Sequence, residues 1–348
     1  MRPRALVRRA LGRRPPPSER RGVLVEPNPP DADTLDDFRF FAVLGTWMEQ
    51  DIVEATVRNA FAQGVERVYL VDNDSTDDTV ARAVAAGAQL AERFHTEVYE
   101  ERVRILLMNA LVARESLASG ERRIWWLWLD ADEFPEGPDG TRVRDYLATL
   151  DRRFRIVGSR YVNHFPDTKP EYLPGFHPVD FQPLCDEFFP GAPRYCVQPH
   201  WKHPLQRFDR EGPFLGSIIG FHTATLLTNE PVVEPTGGIT THHIQYRDEA
   251  VTRARMELLC GGPALGRNGY NHTVGNRSIQ RRFRTLDAVY DHRWKDIDNL
   301  GGRFGDGVDP RPWPDPTSIQ RWYDAGELES ARAAWAARQV EDGQPVHE

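Results

Sequence analysis

"IWWLWLDADEF", residues 124–134, opens with six apolar residues and turns acidic at Asp130, after which Asp132 and Glu133 follow within three positions. The apolar part is far shorter than the roughly 20 residues that cross a bilayer. Its length and its tryptophans suit a strand buried inside a sheet. Carboxylates repel one another and are costly to bury unpaired. Such a cluster at the mouth of a buried strand therefore calls for a cation or a polar ligand beside it.

Outward from that strand the chain alternates. "FRFFAVLGT" (38–46) is a short apolar run of strand length. "DIVEATVRNAFAQG" (51–64) repeats apolar residues at helical spacing and ends on Gly64, a good helix terminator. "VERVYLVD" (65–72) is a second buried strand, so strand, helix and strand imply a parallel pair with a right-handed crossover. Ser75 or Thr76 is expected to cap the next helix, with Asp77 and Asp78 in its first turn. "TEVYEE" (96–101) is expected to be a short strand and residues 102–120 a helix closed by Gly120. The alternation predicts a doubly wound α/β domain.

After about Asp151 the pattern changes. "RFRIVGSRYVNHF" (153–165) suits a strand, but residues 166–213 are dense in Pro, His and aromatics with little periodicity, as in an ordered substrate-side segment or a lid. Helices return at 247–260 and at 318–340. The expected division is a basic, Pro-rich tail and linker over 1–37, two halves of one domain over 38–150 and 151–260, and a helical extension over 261–348.

A chain of 348 residues with 40% hydrophobic content is long enough for a sizeable core, and a net charge of -8 argues against a nucleic-acid partner. Three scattered cysteines suit neither a disulfide framework nor a thiolate zinc site, and fit a reducing, cytoplasmic setting. The first 21 residues carry eight arginines against Glu19. They read as a disordered basic tail, or as a short helix touching anionic lipid at the inner membrane face, stopped by Pro15–Pro17.

In open α/β sheets, ligands bind beyond the carboxyl ends of the strands. Asp72 and Asp74 follow one expected strand, and Asp130 and Asp132 another, so both pairs face one edge. Two acidic strand ends there suit a hard divalent cation, Mn²⁺ or Mg²⁺, which takes one or two carboxylates together with substrate phosphates.

Residues 40–79, "FFAVLGTWMEQDIVEATVRNAFAQGVERVYLVDNDSTDDT", resemble the opening of family 2 glycosyltransferases of the GT-A fold. "WLWLDADEF" resembles their metal-binding Asp-X-Asp segment, and "HHIQYRDEA" (242–250) a later His-Tyr-type motif of the branch with a Leu-Asp-X-Asp-Glu-Phe signature. The resemblance implies a GT-A, Rossmann-like domain with a mainly parallel central sheet. It implies a nucleoside-diphosphate sugar donor, a glycan or small-molecule acceptor and transfer with inversion. Thr46, Glu49, Asp72, Asn73 and Asp74 would hold the nucleotide, Asp130 the ribose and metal, Asp132 and His243 the metal, and Arg247 a phosphate. Glu133 would order the loop, and His242 is as well read as a packed residue.

Inverting transfer also needs a base for the acceptor hydroxyl. Asp209 and Glu211, beside Phe208 and Phe214, and His222 are the candidates, with Asp186 and Glu187 behind them; Lys202 is a further candidate for phosphate or acceptor. A metallohydrolase could use the same acids, but His95 is the only histidine in the first hundred residues. A nucleotidyltransferase would carry a Gly-rich basic loop where "GTWMEQD" is acidic. A binding-only relative without the base is the remaining alternative.

Overall fold

The computed structural model describes residues 23–25, 33–97, 100–166, 173–186, 202–212, 214–217, 224–226, 233–235, 237–260, 276–297 and 308–341. In chain order, β1 (Val23–Val25) precedes β2 (Arg39–Thr46), α1 (Val53–Ala62), β3 (Arg67–Asp72), α2 (Thr79–Ala85), β4 (Gln89–Arg93), α3 (Glu101–Ala118) and β5 (Arg123–Asp130). Next come β6 (Glu133–Glu136), α4 (Val143–Thr149), β7 (Ile156–Phe165), β8 (Leu184–Asp186) and β9 (Lys202–Asp209). They are followed by β10 (Leu215–Ser217), β11 (Ala224–Leu226), β12 (Val233–Pro235), β13 (Ile239–His243), α5 (Glu249–Cys260), α6 (Asn276–Tyr290), β14 (Arg311–Pro312) and α7 (Ala325–Glu341).

Ten strands form one sheet in the order β14-β8-β7-β9-β5-β2-β3-β4, with β13 pairing both β6 and β7. Strands β5, β2, β3 and β4 run parallel, as the strand-helix alternation requires. The pleat divides β5 cleanly. Trp125, Leu127 and Leu129 enter the core under α1 and α2, with Phe40, Leu44, Val53 and Val57. Ile124, Trp126 and Trp128 enter the core under α3, with Met108 and Leu111. Trp126 keeps its indole N–H satisfied on Ser116 Oγ at 2.8 Å, so the ring is buried without an orphan donor. Helices thus cover both faces, the Rossmann-like arrangement expected of a GT-A domain.

Three expectations fail locally. The strand after α2 is β4, not residues 96–101; β4 is a half-exposed edge strand, so its sequence carries little apolar alternation. Ser75 does not cap α2, because its amide and hydroxyl are held by Asp72. The last helix begins at Ala325 rather than at residue 318. Among the elements not anticipated are β9, inserted antiparallel between β5 and β7, β13, which carries His242 and His243, and α6.

Positioning of the site follows from this insertion. Because β9 runs against β5, its first residue, Lys202, arrives at the end of β5 where Asp130 stands. Because β13 pairs antiparallel with β6, His243 is the register partner of Glu133, next to Asp132.

Candidate active site

The carboxyl ends of β2, β3 and β5 meet where the strand order reverses, between β2 and β5. Such a switch point is where open α/β sheets bind ligands. Two non-glycine residues in loops at this edge, Met48 and Asp74, hold left-handed backbone conformations with φ of 59° and 49°. Strain of this kind persists only where surrounding bonds over-determine it. Here the Met48 amide donates to Ser75 Oγ at 2.9 Å, and Arg93 lies 3.4 Å from Asp74.

Asp72 is fully buried and accepts from Thr46 Oγ1 at 2.9 Å, the Ser75 amide at 2.8 Å and Ser75 Oγ at 2.6 Å. It ties the ends of β2 and β3 together. Asn73 exchanges bonds with Thr96, its Oδ1 accepting the amide at 3.0 Å. Thr46, Asp72, Asn73 and Asp74 are therefore one cluster at the expected edge.

Asp130 lies between two cations, 2.5 Å from Arg104 Nη1 and 2.7 Å from Lys202 Nζ. Burial alone would raise its pKa, but Arg104 and Lys202 outweigh it and hold the carboxyl far below the usual range. Arg104 is itself held by Glu101 at 2.9 Å. Gly45 makes room for Arg104: a Cβ there would stand 2.7 Å from its Nη1. Lys202 also contacts Glu133, whose carboxyl is pushed up to about 8 because burial outweighs the lysine's pull.

Asp132 is set differently. Its carboxylate has Arg255 at 3.4 Å and His243 Nε2 at 3.8 Å. Burial pushes it up, and Arg255 and His243 bring it below its ordinary value. His243 Nδ1 lies 2.7 Å from Asn163 Oδ1, which also accepts from Gln245 Nε2 at 3.3 Å. A carboxamide oxygen only accepts, so Nδ1 carries the proton and Nε2 keeps its lone pair toward Asp132. Burial lowers the His243 pKa, which keeps the ring neutral.

His242, one residue back, points the other way. It is fully buried, with Nδ1 2.8 Å from His164 Nε2 and Nε2 3.1 Å from Glu136 Oε1, and it packs on Trp313. It is a core residue.

Arg247 does not present its charge to the edge. It is 5% exposed, 2.9 Å from both Glu49 and Asp51. Arg255 faces the edge instead, bridging Glu49 at 2.8 Å and Asp132. Glu49 has its pKa raised by burial, against the pull of Arg255 and Arg247.

Of the described base candidates, Asp209 and Glu211 are not brought to this edge, whereas Asp186 lies in the same cross-strand row as His243. Asp209 pairs in register with Arg123 at the opposite end of β5 and is held by Arg155 at 2.8 Å and Arg207 at 3.0 Å. Seven strand steps of about 3.3 Å put it on the order of 23 Å from the acidic end. Glu211 is exposed in the turn just beyond it. Asp186 ends β8, accepts from the Asp309 amide and is the register partner of Asn163, two strands from His243. His222 and Glu187 lie outside the described residues.

Arg104, Arg255 and Asn163 escaped the sequence reading because a lone arginine on a helix, or an asparagine on a strand, carries no local signal. Lys202 gave a weak one.

A divalent ion fits part of this site. Asp132 Oδ2 and His243 Nε2 are two lone-pair atoms facing one another, and the Asn163 contact is the orienting partner that metal-binding imidazoles use. Asp130 fits less well, since both its oxygens already hold cations. No group of three His, Cys, Asp or Glu donors converges among the described residues. That leaves two protein donors, in keeping with an Mg²⁺-type ion that completes its shell from phosphates and water. No helix among the described residues is long and apolar enough to cross a membrane.

No protein-family model and no curated protein matches the chain. Among solved structures it is similar in part to glucosyl-3-phosphoglycerate synthase from Mycobacterium tuberculosis. The crystal structure of that enzyme with phosphoglyceric acid shares 20% identity over 35% of this chain and 44% of that one, with a TM-score of 0.24. The same figures hold for its complex with Mn²⁺, uridine diphosphate and glucosyl-3-phosphoglycerate. A complex with Mn²⁺, UDP-glucose and phosphoglyceric acid gives 21% identity over the same shares and a TM-score of 0.25. The match spans less than half the length of those chains.

Proposed function

We propose that the chain is a metal-dependent glycosyltransferase that moves a sugar from a nucleoside-diphosphate sugar to an acceptor hydroxyl with inversion. The supporting observation is the pair Asp132 and His243 at the strand-order switch point, with the His243 tautomer set so that Nε2 is a ligand atom. Bound there, Mn²⁺ or Mg²⁺ would neutralise the leaving diphosphate.

The chain's own residues supply the rest. Thr46 and Asp72 fix the ends of two strands, with Asn73 and Asp74 beside them to meet the base and ribose. Arg255 and Arg104 bring cationic groups to the same edge, where a diphosphate would lie. Glu49 holds Arg255 in place, and Asn163 holds His243. Asp130 takes the role of anchor for Arg104 and Lys202 rather than that of a free metal donor.

The test is release of nucleoside diphosphate from a panel of nucleotide sugars with Mn²⁺, with and without Asp132→Ala. Metal-dependent release that the variant abolishes supports the reading. Donor binding with no release would make the chain a binding-only relative, and no donor binding at millimolar concentration by the folded protein would sink the proposal.

A further inference from the structure

The ends of β3 and β4 carry four polar groups, and two of them are already engaged within the fold. Asp72 accepts from Thr46 and twice from Ser75. Asn73 is closed on Thr96: its Oδ1 accepts the Thr96 amide at 3.0 Å and its Nδ2 donates to Thr96 Oγ1 at 2.9 Å. That leaves Asn73 one N–H and Asp72 no free edge for a ligand.

Asp74 and Arg93 are the other two. Arg93 is the register partner of Asp72, and its Nε lies 3.8 Å from Asp72 and 3.4 Å from Asp74 Oδ1. His95 Nδ1 lies 3.4 Å from Asp74 Oδ2. Asp74 and Arg93 are both about half-exposed, and among the described residues no hydrogen bond engages the carboxylate or the guanidinium.

Their position suits a nucleoside. β2, β3 and β4 present their carboxyl ends on one side of β5, whereas β9 runs antiparallel on the other. A nucleoside whose diphosphate lies at Asp132 and Arg255 therefore extends along the ends of β2 and β3 toward β4, three strand spacings, roughly 14 Å, away.

The chemistry of the pair selects among bases. A carboxylate has two acceptor oxygens, and a guanidinium is a planar fork of N–H groups. Side by side they match a base with two adjacent N–H groups followed by two adjacent acceptors. Guanine has this edge: N2–H and N1–H together, then O6 and N7. Uracil sets a single N–H between two carbonyls, one of which would face the carboxylate. Adenine and cytosine offer an amino group with no second N–H beside it. We propose that Asp74 takes the N1–H and N2–H of a guanine and that Arg93 donates to its O6 and N7. The sugar donor is then a guanosine-diphosphate sugar, which rests on the glycosyltransferase reading and narrows its substrate class.

Calorimetric titration of the full chain with nucleoside diphosphates and Mn²⁺ tests the assignment without an acceptor. GDP should bind about tenfold or more tighter than UDP or ADP. Inosine diphosphate lacks the N2 amino group and should bind about tenfold more weakly than GDP. Asp74→Asn turns one acceptor into a donor, which suits xanthine, whose C2 carbonyl replaces that amino group. The variant should bind xanthosine diphosphate better than GDP, a reversal that a damaged fold cannot produce. Arg93→Gln should narrow the preference for GDP over UDP.

UDP or ADP binding as tightly as GDP, inosine diphosphate equal to GDP, or no reversal in Asp74→Asn would each overturn the guanine assignment and leave the transferase reading standing. GDP binding with no release from any guanosine-diphosphate sugar would sink the transferase reading alone. Binding of no diphosphate at about 1 mM by the folded protein would sink both.

Discussion

The ammonium of Lys202 stands 2.7 Å from Oδ2 of Asp130, 72 residues earlier in the chain. The pair joins the start of an antiparallel strand to the end of a parallel one, and Lys202 is 9% exposed. Lys202→Met would leave the buried Glu133 and the half-buried Asp130 with one cation fewer. Removing one partner of a buried ion pair costs about 3–5 kcal/mol, and urea unfolding should read a loss of that size. A loss under about 1 kcal/mol, the range of surface pairs, would show that the cluster is solvated.

Asn163 sets the His243 tautomer, so Asn163→Ala should weaken metal binding while leaving both proposed ligands in place. Orienting partners of metal-bound imidazoles are worth about 10–100-fold in affinity. Mn²⁺ titration followed by electron paramagnetic resonance would read it. Asp132→Ala should remove binding altogether, with a fall in melting temperature because the residue is 6% exposed and paired with Arg255. Equal metal affinity in wild type and both variants would place the ion elsewhere.

The pH dependence has a definite sign. Burial lowers the His243 pKa below the ordinary imidazole value of about 6.5, against the pull of Asp132. The unfolded chain therefore takes up this proton first as pH falls. The contribution of His243 to stability is full above about pH 6.5; it declines below that value and levels off once the folded ring is protonated. Because the folded ring protonates at lower pH than a free imidazole, Mn²⁺ affinity should fall less between pH 7 and 6 than it would at an ordinary histidine. A tenfold loss between pH 7 and 6 would contradict the neutral setting.

Asp209 holds Arg155 and Arg207 at the far end of β5. Asp209→Asn should leave donor turnover within roughly twofold while lowering the melting temperature. A collapse of turnover in a variant that melts normally would restore Asp209 as the base.

Gly45 is the close approach that lets Arg104 lie over β2. Gly45→Ala should push the guanidinium off Asp130, most visibly as weaker donor binding. Donor affinity identical to wild type, with Arg104 unmoved in a crystal structure, would refute this role.

What the sequence disclosed, and what it did not, follows from the range of each signal. Strands β2, β3 and β5 and helices α1 and α3 declare themselves through apolar pattern over six to 18 residues. The acidic edge is legible because topology alone places Asp72 and Asp130 side by side. β4 is not, because an edge strand with polar residues on both faces has no alternation to read. β9 is hidden for another reason: its partners, β5 and β7, are dozens of residues away, and Pro204 breaks its pattern. α6 was legible in principle, since Ile279, Phe283, Leu286 and Val289 or Tyr290 recur at helical spacing between its charges. The ion pairs of Arg104 and Arg255 exist only once helices are packed on strands, so no local pattern could give them.

His242 and His243 are consecutive, yet one closes a buried chain with His164 and Glu136 while the other looks onto Asp132. Their difference is parity. β13 is held on both sides, by β6 and by β7, and its pleat alone decides which imidazole turns inward. Losing a single residue in the Gly237–Gly238 lead-in, if the strand slipped to match, would carry His243 into the core position and leave Ile244 at the edge. Gaining one would carry His242 to the edge and leave Thr241 in the core position. The spacing of this short strand is thus as much a part of the site as the side chains it carries.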